Sequence, residues 1–266
     1  MTTLVRQLTR IPGLRHLWRK FPVGSAHLRV EFDIWDYPAY AYGVYSAANL
    51  ARLLGHDGIS VIEFGVAGGS GLVALEQISE HLSMELGVRI SAFGFDTGQG
   101  MPEPTDYRDL PYVWGPGFYR MDPDALRHRL HNAQLLLGNV GDTVKQFCAT
   151  VKDPIGFVSF DLDYHSSTKS ALSIFQAHAC TRLPRVFCYF DDVIWPERAC
   201  YSEYAGEYLA IREFNAQYEA MKLSKIPHLS WMRQHAAAWN EQMYVLHDFF
   251  HPEYCTNITP VSGRQM

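Results

Sequence analysis

Two segments place carboxylates where an open α/β sheet binds its ligand. Phe160-Asp161-Leu162-Asp163-Tyr164 and Phe190-Asp191-Asp192-Val193 each set acids directly behind an apolar run of strand length, thirty residues apart. That spacing leaves room for one helix between adjacent strands, and the carboxyl ends of such strands line the ligand crevice, so up to four carboxylates meet there. Unpaired negative charges at that density repel unless a cation sits among them. Oxygen-only donors point to a hard divalent cation such as Mg2+, with waters or substrate oxygens completing its octahedron. An ion so held can bind a substrate hydroxyl and lower its pKa while a nearby base takes the proton, and Asp163 and His165 are the candidate bases. The plainer alternative is that some of these acids cap the helix beginning near Ser167 or pair with Lys169, Arg182 or Arg185.

A second constellation lies upstream in Glu63-Phe64-Gly65-Val66-Ala67-Gly68-Gly69-Ser70-Gly71. Glycines between a strand and a helix let backbone approach a ligand closely, and the helix start offers free N–H groups. Gly69 to Ala74 satisfies a relaxed dinucleotide motif, but it starts too late to be the first tight turn after a strand ending by Gly65. Glu63 is badly placed beside a pyrophosphate and well placed beside a cationic amino-acid group, which S-adenosylmethionine carries together with its sulfonium. Asp96, closing the next strand, is positioned to accept ribose hydroxyls from either kind of nucleoside. Turn capping by Glu63 and Asp96 is the alternative without a ligand.

These residues need a scaffold of alternating strands and helices, and the apolar pattern supplies one. Tyr40 to Leu54 reads as a helix, Ser60 to Phe64 as the first strand, Gly71 onward as a helix and Arg89 to Phe95 as the second strand. Residues 97 to 122, rich in Pro, Gly and Tyr, form a long loop of the kind that carries substrate contacts. Its Tyr107, Tyr112, Trp114, Phe118 and Tyr119 either stack on a ring or pin the loop to the domain. A helix opens at Pro123 with Asp122 as its cap. Leu135 to Leu137, Ile155 to Phe160 and Val186 to Phe190 are strands three to five, Ser167 to His178 and Tyr208 to Tyr218 helices, and Leu229 to Trp231 and Met243 to Leu246 two late strands. The expected fold is α/β, a Rossmann-like doubly wound sheet of about seven strands, mostly parallel with an antiparallel C-terminal strand and helices on both faces. Residues 1 to 40 are set apart as a helical extension and residues 41 to 266 as a single domain.

Composition narrows the function classes. The 266 residues carry a net charge of −5, and their 23 Lys and Arg are dispersed, which argues against a nucleic-acid binder. No stretch approaches the roughly 20 apolar residues of a membrane span. Leu4, Leu8, Ile11, Leu14 and Leu17, interleaved with Arg6, Arg10, Arg15, Arg19 and Lys20, make an amphipathic stripe broken by Pro12 and Gly13. That stripe suits packing on the domain or on the mate of a homo-oligomer better than an anionic membrane. Five widely spaced cysteines, without a C-x-x-C pair, suggest neither a disulfide framework nor a zinc site, and a reducing cytoplasm is the natural compartment.

Taken together, the sequence resembles the macrocin O-methyltransferase family, metal-dependent enzymes that methylate sugar hydroxyls of natural products. The likeness is carried by Glu63 to Ser70, by Phe93-Gly94-Phe95-Asp96 with Gly100-Met101-Pro102-Glu103-Pro104, by Asp161-Leu162-Asp163-Tyr164 with Ser167-Thr168, and by Asp191-Asp192. It implies metal ligation by Asp161, Asp191 and Asp192, a general-base role for Asp163, and S-adenosylmethionine contacts at Glu63, Gly65, Asp96, Gly138 and Asn139. Gly68, Gly69 and Ser70 of the turn and Asp161 join the candidate cofactor contacts. Leu162 stands where the family usually has Gly, Thr97-Gly98-Gln99 where it has an aromatic, and Arg182-Leu183-Pro184-Arg185 replaces a Gly-Gly turn. The resulting expectation is an S-adenosylmethionine-dependent, Mg2+-assisted O-methyltransferase acting on a small-molecule hydroxyl. A catalytically silent nucleotide-binding protein and an NAD-dependent oxidoreductase are the alternatives.

Overall fold

In the computed structural model, residues 5, 7–11, 13–177, 181–194 and 202–259 are described. The strands are β1 (Gly58–Phe64), β2 (Arg89–Asp96), β3 (Gln134–Leu137), β4 (Ile155–Phe160), β5 (Arg182–Phe190), β6 (Met221–Lys225) and β7 (Met243–Asp248). They form one sheet in the order β3-β2-β1-β4-β5-β7-β6, with β7 antiparallel to both its neighbours and the other pairings parallel. This is the doubly wound α/β sheet with an antiparallel C-terminal strand that the pattern predicts. β1 and β4 lie at its centre and are buried at every position. Strands covered on both faces read as continuous apolar runs, which is why the sequence marks them so clearly.

The helices are α1 (Leu14–Lys20), α2 (Ala26–Glu31), α3 (Pro38–Leu54), α4 (Ser70–Leu86), α5 (Pro123–Arg127), α6 (Val140–Thr150), α7 (His165–Ala171), α8 (Gly206–Gln217) and α9 (Leu229–Met232). Pleating splits the core in two. Ile59, Val61 and Phe157 face the layer made by α3 and α4, whereas Ile62, Phe64, Val158 and Phe160 face the layer made by α6 to α8. Two expectations about elements are corrected and two elements are added. Leu229 to Trp231 begins the short helix α9, and the strand before β7 is instead Met221–Lys225. That edge strand, Met-Lys-Leu-Ser-Lys, buries only Leu223, so it shows no apolar run. Residues after Asn139, to which the sequence pattern assigns no element, form α6, and the Asn139 side chain accepts from the Gly141 amide and caps it. The helix expected from Ser167 starts two residues earlier and tightens into a 3-10 turn at Leu172–Phe175; its expected end at His178 lies outside the described residues.

The N-terminal segment divides in two. From Ala26 onward it belongs to the core. The Ala26 amide donates to both Glu85 carboxylate oxygens at 2.8 and 2.7 Å, the Arg29 guanidinium stacks 3.9 Å over Trp35, and Arg233 bonds Asp33 at 2.8 Å. α1 buries none of its residues, and Leu8, Ile11 and Leu17 of the amphipathic stripe are exposed. Leu4, Arg6 and Pro12 of that stripe lie outside the described residues. No described helix is long and apolar enough to cross a membrane. Among the described residues, buried Cys148 is disulfide-bonded and Cys188 and Cys255 are free.

Candidate functional site

Chain direction reverses its winding between β1 and β4, and a cavity of about 580 Å3 opens there above the carboxyl ends of β1 to β5. The glycine turn forms one wall. Gly65 has φ +86°, and a Cβ there would sit 1.7 Å from the Asp161 carbonyl oxygen, so only glycine lets β1 leave the sheet beside β4. Gly69, with φ +80°, caps α4 without a side-chain hydrogen bond, which leaves the first amides of α4 free for a ligand. Gly68 faces open space, and Ser70 and Gly71 line the cavity.

Glu63 ends β1 beneath this turn and is 2% exposed. One carboxylate oxygen accepts from the Tyr40 hydroxyl at 2.7 Å, and Tyr40 in turn accepts from Ser159 at 2.9 Å. Among the described residues the other oxygen has no partner. Burial pushes the Glu63 carboxyl well above the usual carboxylate range, with the Tyr40 hydroxyl opposing and the charges of Asp161 and Asp96 adding to the shift. A buried acid with an unmatched oxygen facing a cavity is complementary to a cation.

Asp96 is committed differently from expectation. Its Oδ2 accepts from the Val66 and Ala67 amides at 2.9 Å each, and its Oδ1 accepts from the Gly98 amide at 2.7 Å. The carboxylate therefore staples the glycine turn to the end of β2 and keeps only its remaining lone-pair capacity for a ribose. Gly138, with φ +141°, and Asn139 line the far wall, where the Asn139 side chain is occupied as the cap of α6.

The predicted acids do gather at the ends of β4 and β5. The backbone amide of Asp163 donates to Asp192 Oδ2 at 2.8 Å, and Asp163 takes a left-handed conformation, φ +58°. A non-glycine residue held there costs on the order of 1–3 kcal/mol, a cost that clusters at functional sites. Burial first, and then the neighbouring acids, raise Asp161 and Asp192 well above the ordinary range and bring Asp163 to about 7. Asp161 is nevertheless reached by solvent through the cavity, crowded by protein on its other sides. Asp191 turns its Oδ1 to the Tyr189 hydroxyl at 2.5 Å. Among the described residues, no three His, Cys, Asp or Glu side chains converge as ligands of one ion.

His165 is not brought into this group. It is 2% exposed, starts α7, and bonds Glu213 at 3.1 Å, and it does not line the cavity. The loop 97–122 closes the other side. Asp109, fully buried, accepts from the amide and hydroxyl of both Thr105 and Ser166 and so pins the loop to α7. Trp114 packs with Leu110 and Tyr164 as a loop anchor; Tyr119 lines the cavity; Tyr107, Tyr112 and Phe118 are exposed.

Sequence reasoning missed three participants. Tyr37 and Tyr40, at the start of α3, line the cavity; the signal was present as Pro38 at the first helical position, which fixes where these rings begin. Glu207, fully buried at the start of α8, accepts from the Asp192 amide at 3.0 Å and leaves its Oε1 unpartnered. Nothing in its sequence neighbourhood distinguishes it from a helix-capping acid.

No family model and no curated protein matches this sequence. Among solved structures the chain is similar to CalS11, calicheamicin methyltransferase, at 19% identity over 92% of this chain and 90% of that one, TM-score 0.52. An apo structure of CalS11, described as a TDP-rhamnose 3'-O-methyltransferase of calicheamicin biosynthesis, gives 17% identity over 91% and 93%, TM-score 0.44. TomG, the O-methyltransferase of tomaymycin synthesis from Streptomyces achromogenes, gives 12% over 90% and 97%, TM-score 0.42. At these identities the first likeness establishes the fold alone, a Rossmann-like sheet shared with that structure, with the cavity at its switch point.

Proposed function

We propose that this chain is an S-adenosylmethionine-dependent O-methyltransferase acting on a hydroxyl of a small molecule, of the sugar or glycosylated natural-product class. The observation that carries the reading is Glu63: a buried carboxylate with one unpartnered oxygen, at the mouth of a glycine turn and across one cavity from four aspartates. Glu63 would meet the amino-acid ammonium of the cofactor, the first amides of α4 its carboxylate, and Asp96, Gly138 and Asn139 its nucleoside. Bound there, it would supply an electrophilic methyl group in the cavity that Asp161 and Asp163 also line.

In the transfer, the acceptor oxygen attacks the methyl carbon as the carbon–sulfur bond breaks. The bonding pair stays on sulfur, giving the neutral thioether, and the hydroxyl proton passes to Asp163. A carboxylate near 7 suits that task, because a general base works best with a pKa near the operating pH. Mg2+ dependence is the finer part of the reading. The all-carboxylate donor set fits a hard cation in chemistry, and displacement of the protons that burial and repulsion favour is what such an ion accomplishes. Asp161, Asp191 and Asp192 are the side chains that would hold it, and it would supply Lewis-acid polarisation of the acceptor hydroxyl.

Calorimetric titration with S-adenosylmethionine and S-adenosylhomocysteine tests the reading. Binding in the micromolar range is expected; none below about 1 mM, roughly 4 kcal/mol of affinity, refutes it. Given binding, Asp191→Ala is expected to abolish Mg2+-stimulated turnover with cofactor affinity nearly intact.

A further inference from the structure

The hydroxyl of Tyr40 stands between two polar side chains at the centre of the sheet. It accepts from the Ser159 hydroxyl at 2.9 Å and donates to Glu63 Oε1 at 2.7 Å, and Tyr40 is 3% exposed. The order of this chain has a consequence for Glu63. A phenol carries one proton, and with Ser159 donating to its oxygen that proton is committed to the carboxylate. The ring is locked as well: its centroid lies 5.7 Å from that of Phe157, 5.8 Å from that of Tyr189 and 5.4 Å from that of Tyr37. Turning the hydroxyl elsewhere would displace close-packed neighbours.

A second constraint on the same carboxylate comes from α4. A Cβ on Gly71 would overlap Glu63 Oε1, so the first turn of α4 lies directly against the oxygen that Tyr40 holds. Held on both sides, Oε1 fixes how the carboxylate is turned and leaves Oε2, without a partner among the described residues, as the oxygen for a ligand. Glu63 and Tyr40 both line the cavity. Donation by Tyr40 also favours the ionised carboxyl against the upward push of burial. An ionised acid adjoining the uncapped start of a helix suits a zwitterion, since the helix amides take a carboxylate and the acid takes an ammonium.

We infer that Tyr40 is a positioning residue for cofactor binding: its hydroxyl, set by Ser159, turns the Glu63 carboxylate so that the site selects the amino-acid end of S-adenosylmethionine. The inference rests on the methyltransferase reading and adds the residues that make its amino-acid pocket selective.

The test compares two ligands by calorimetric titration of the full chain: S-adenosylhomocysteine, and 5′-methylthioadenosine, which keeps the adenosine and the thioether but lacks the amino-acid end. Tyr40→Phe keeps the packed ring and removes the hydroxyl. It is expected to weaken S-adenosylhomocysteine about tenfold, the scale of one hydrogen bond to a charged group, and to leave 5′-methylthioadenosine within about twofold. Ser159→Ala, which removes only the donor to Tyr40, should weaken the same ligand a few-fold and with the same selectivity. In the Glu63→Gln background Tyr40→Phe should cost less than about twofold more, because both changes act on one interaction. Equal weakening of the two ligands would make Tyr40 a packing residue and overturn the inference. So would an unchanged affinity for S-adenosylhomocysteine in Tyr40→Phe, or an undiminished loss when Glu63 is already replaced. The two readings fail separately: no binding of S-adenosylhomocysteine by the unmodified protein refutes the methyltransferase reading, whereas binding that Tyr40→Phe weakens without selectivity refutes only the role of Tyr40.

Discussion

The amide of Asp163 donates across 2.8 Å to the carboxylate of Asp192, joining the segment after β4 to the segment after β5. Asp163 sits at φ +58°, and burial raises both carboxyl groups above the ordinary range. Asp163→Asn is therefore expected to lower turnover by on the order of 100-fold or more, the scale of a lost general base. Asn tolerates the left-handed conformation, so the fold should survive. In metal-free buffer the sign of the pH effect on stability follows from a folded-state value raised to about 7. The stabilisation conferred by the bound proton is present below the ordinary carboxylate range and is lost as pH rises through about 7. Thermal unfolding should show the wild-type protein losing stability between pH 5 and pH 8 and the Asn variant losing less.

His165 offers the contrast. Its bond to Glu213 lies away from the cavity, so His165→Gln should cost stability, about 1–2 kcal/mol for a buried hydrogen bond, and leave kcat within a few-fold. A fall in kcat matching that of Asp163→Asn would instead make the imidazole the base.

Glu63→Gln keeps the shape and the Tyr40 contact but removes the charge offered to a ligand ammonium. Cofactor affinity should drop on the order of 10–100-fold with the melting temperature unchanged or raised, since burial opposes the charged form. Because the empty site favours protonated Glu63, calorimetry in buffers of different ionisation enthalpy should detect proton release on cofactor binding to the wild-type protein and less in the Gln variant.

Two neighbouring glycines should respond oppositely to alanine. Gly65→Ala forces a Cβ into the Asp161 backbone at a positive φ and should cost more than about 3 kcal/mol in urea unfolding. Gly68→Ala meets nothing within 4 Å and should leave stability within about 0.5 kcal/mol.

Asp109 anchors the loop 97–122 through Thr105 and Ser166, and those hydrogen bonds hold its carboxyl below the ordinary range against the opposing effect of burial. Asp109→Ala should destabilise by about 2–4 kcal/mol and expose the loop to limited proteolysis. In the wild-type protein this contribution is present above the ordinary carboxylate range and is lost as pH falls through the lowered value, so loop cleavage should rise under acid conditions.

Central elements were legible because the sheet buries them on both faces: β1, β2 and β4 show as apolar runs, and Glu63, Asp96, Asp161 and Asp191 follow directly from where those runs stop. Edge strand β6 and helix α6 were not, since one is short with only Leu223 buried and the other opens on an asparagine cap that resembles a loop. Local chemistry alone thus determined the glycine turn, the acids at strand ends and the class of fold. Which way each acid points was decided by tertiary structure. Asp96 is spent on the Val66, Ala67 and Gly98 amides, Asp192 on the Asp163 amide and His165 on Glu213, while Tyr37, Tyr40 and Glu207 enter from segments far away in sequence. A strand end fixes where a side chain begins, but the partner that satisfies its lone pairs is set by whichever distant backbone or side chain packing brings within hydrogen-bond reach.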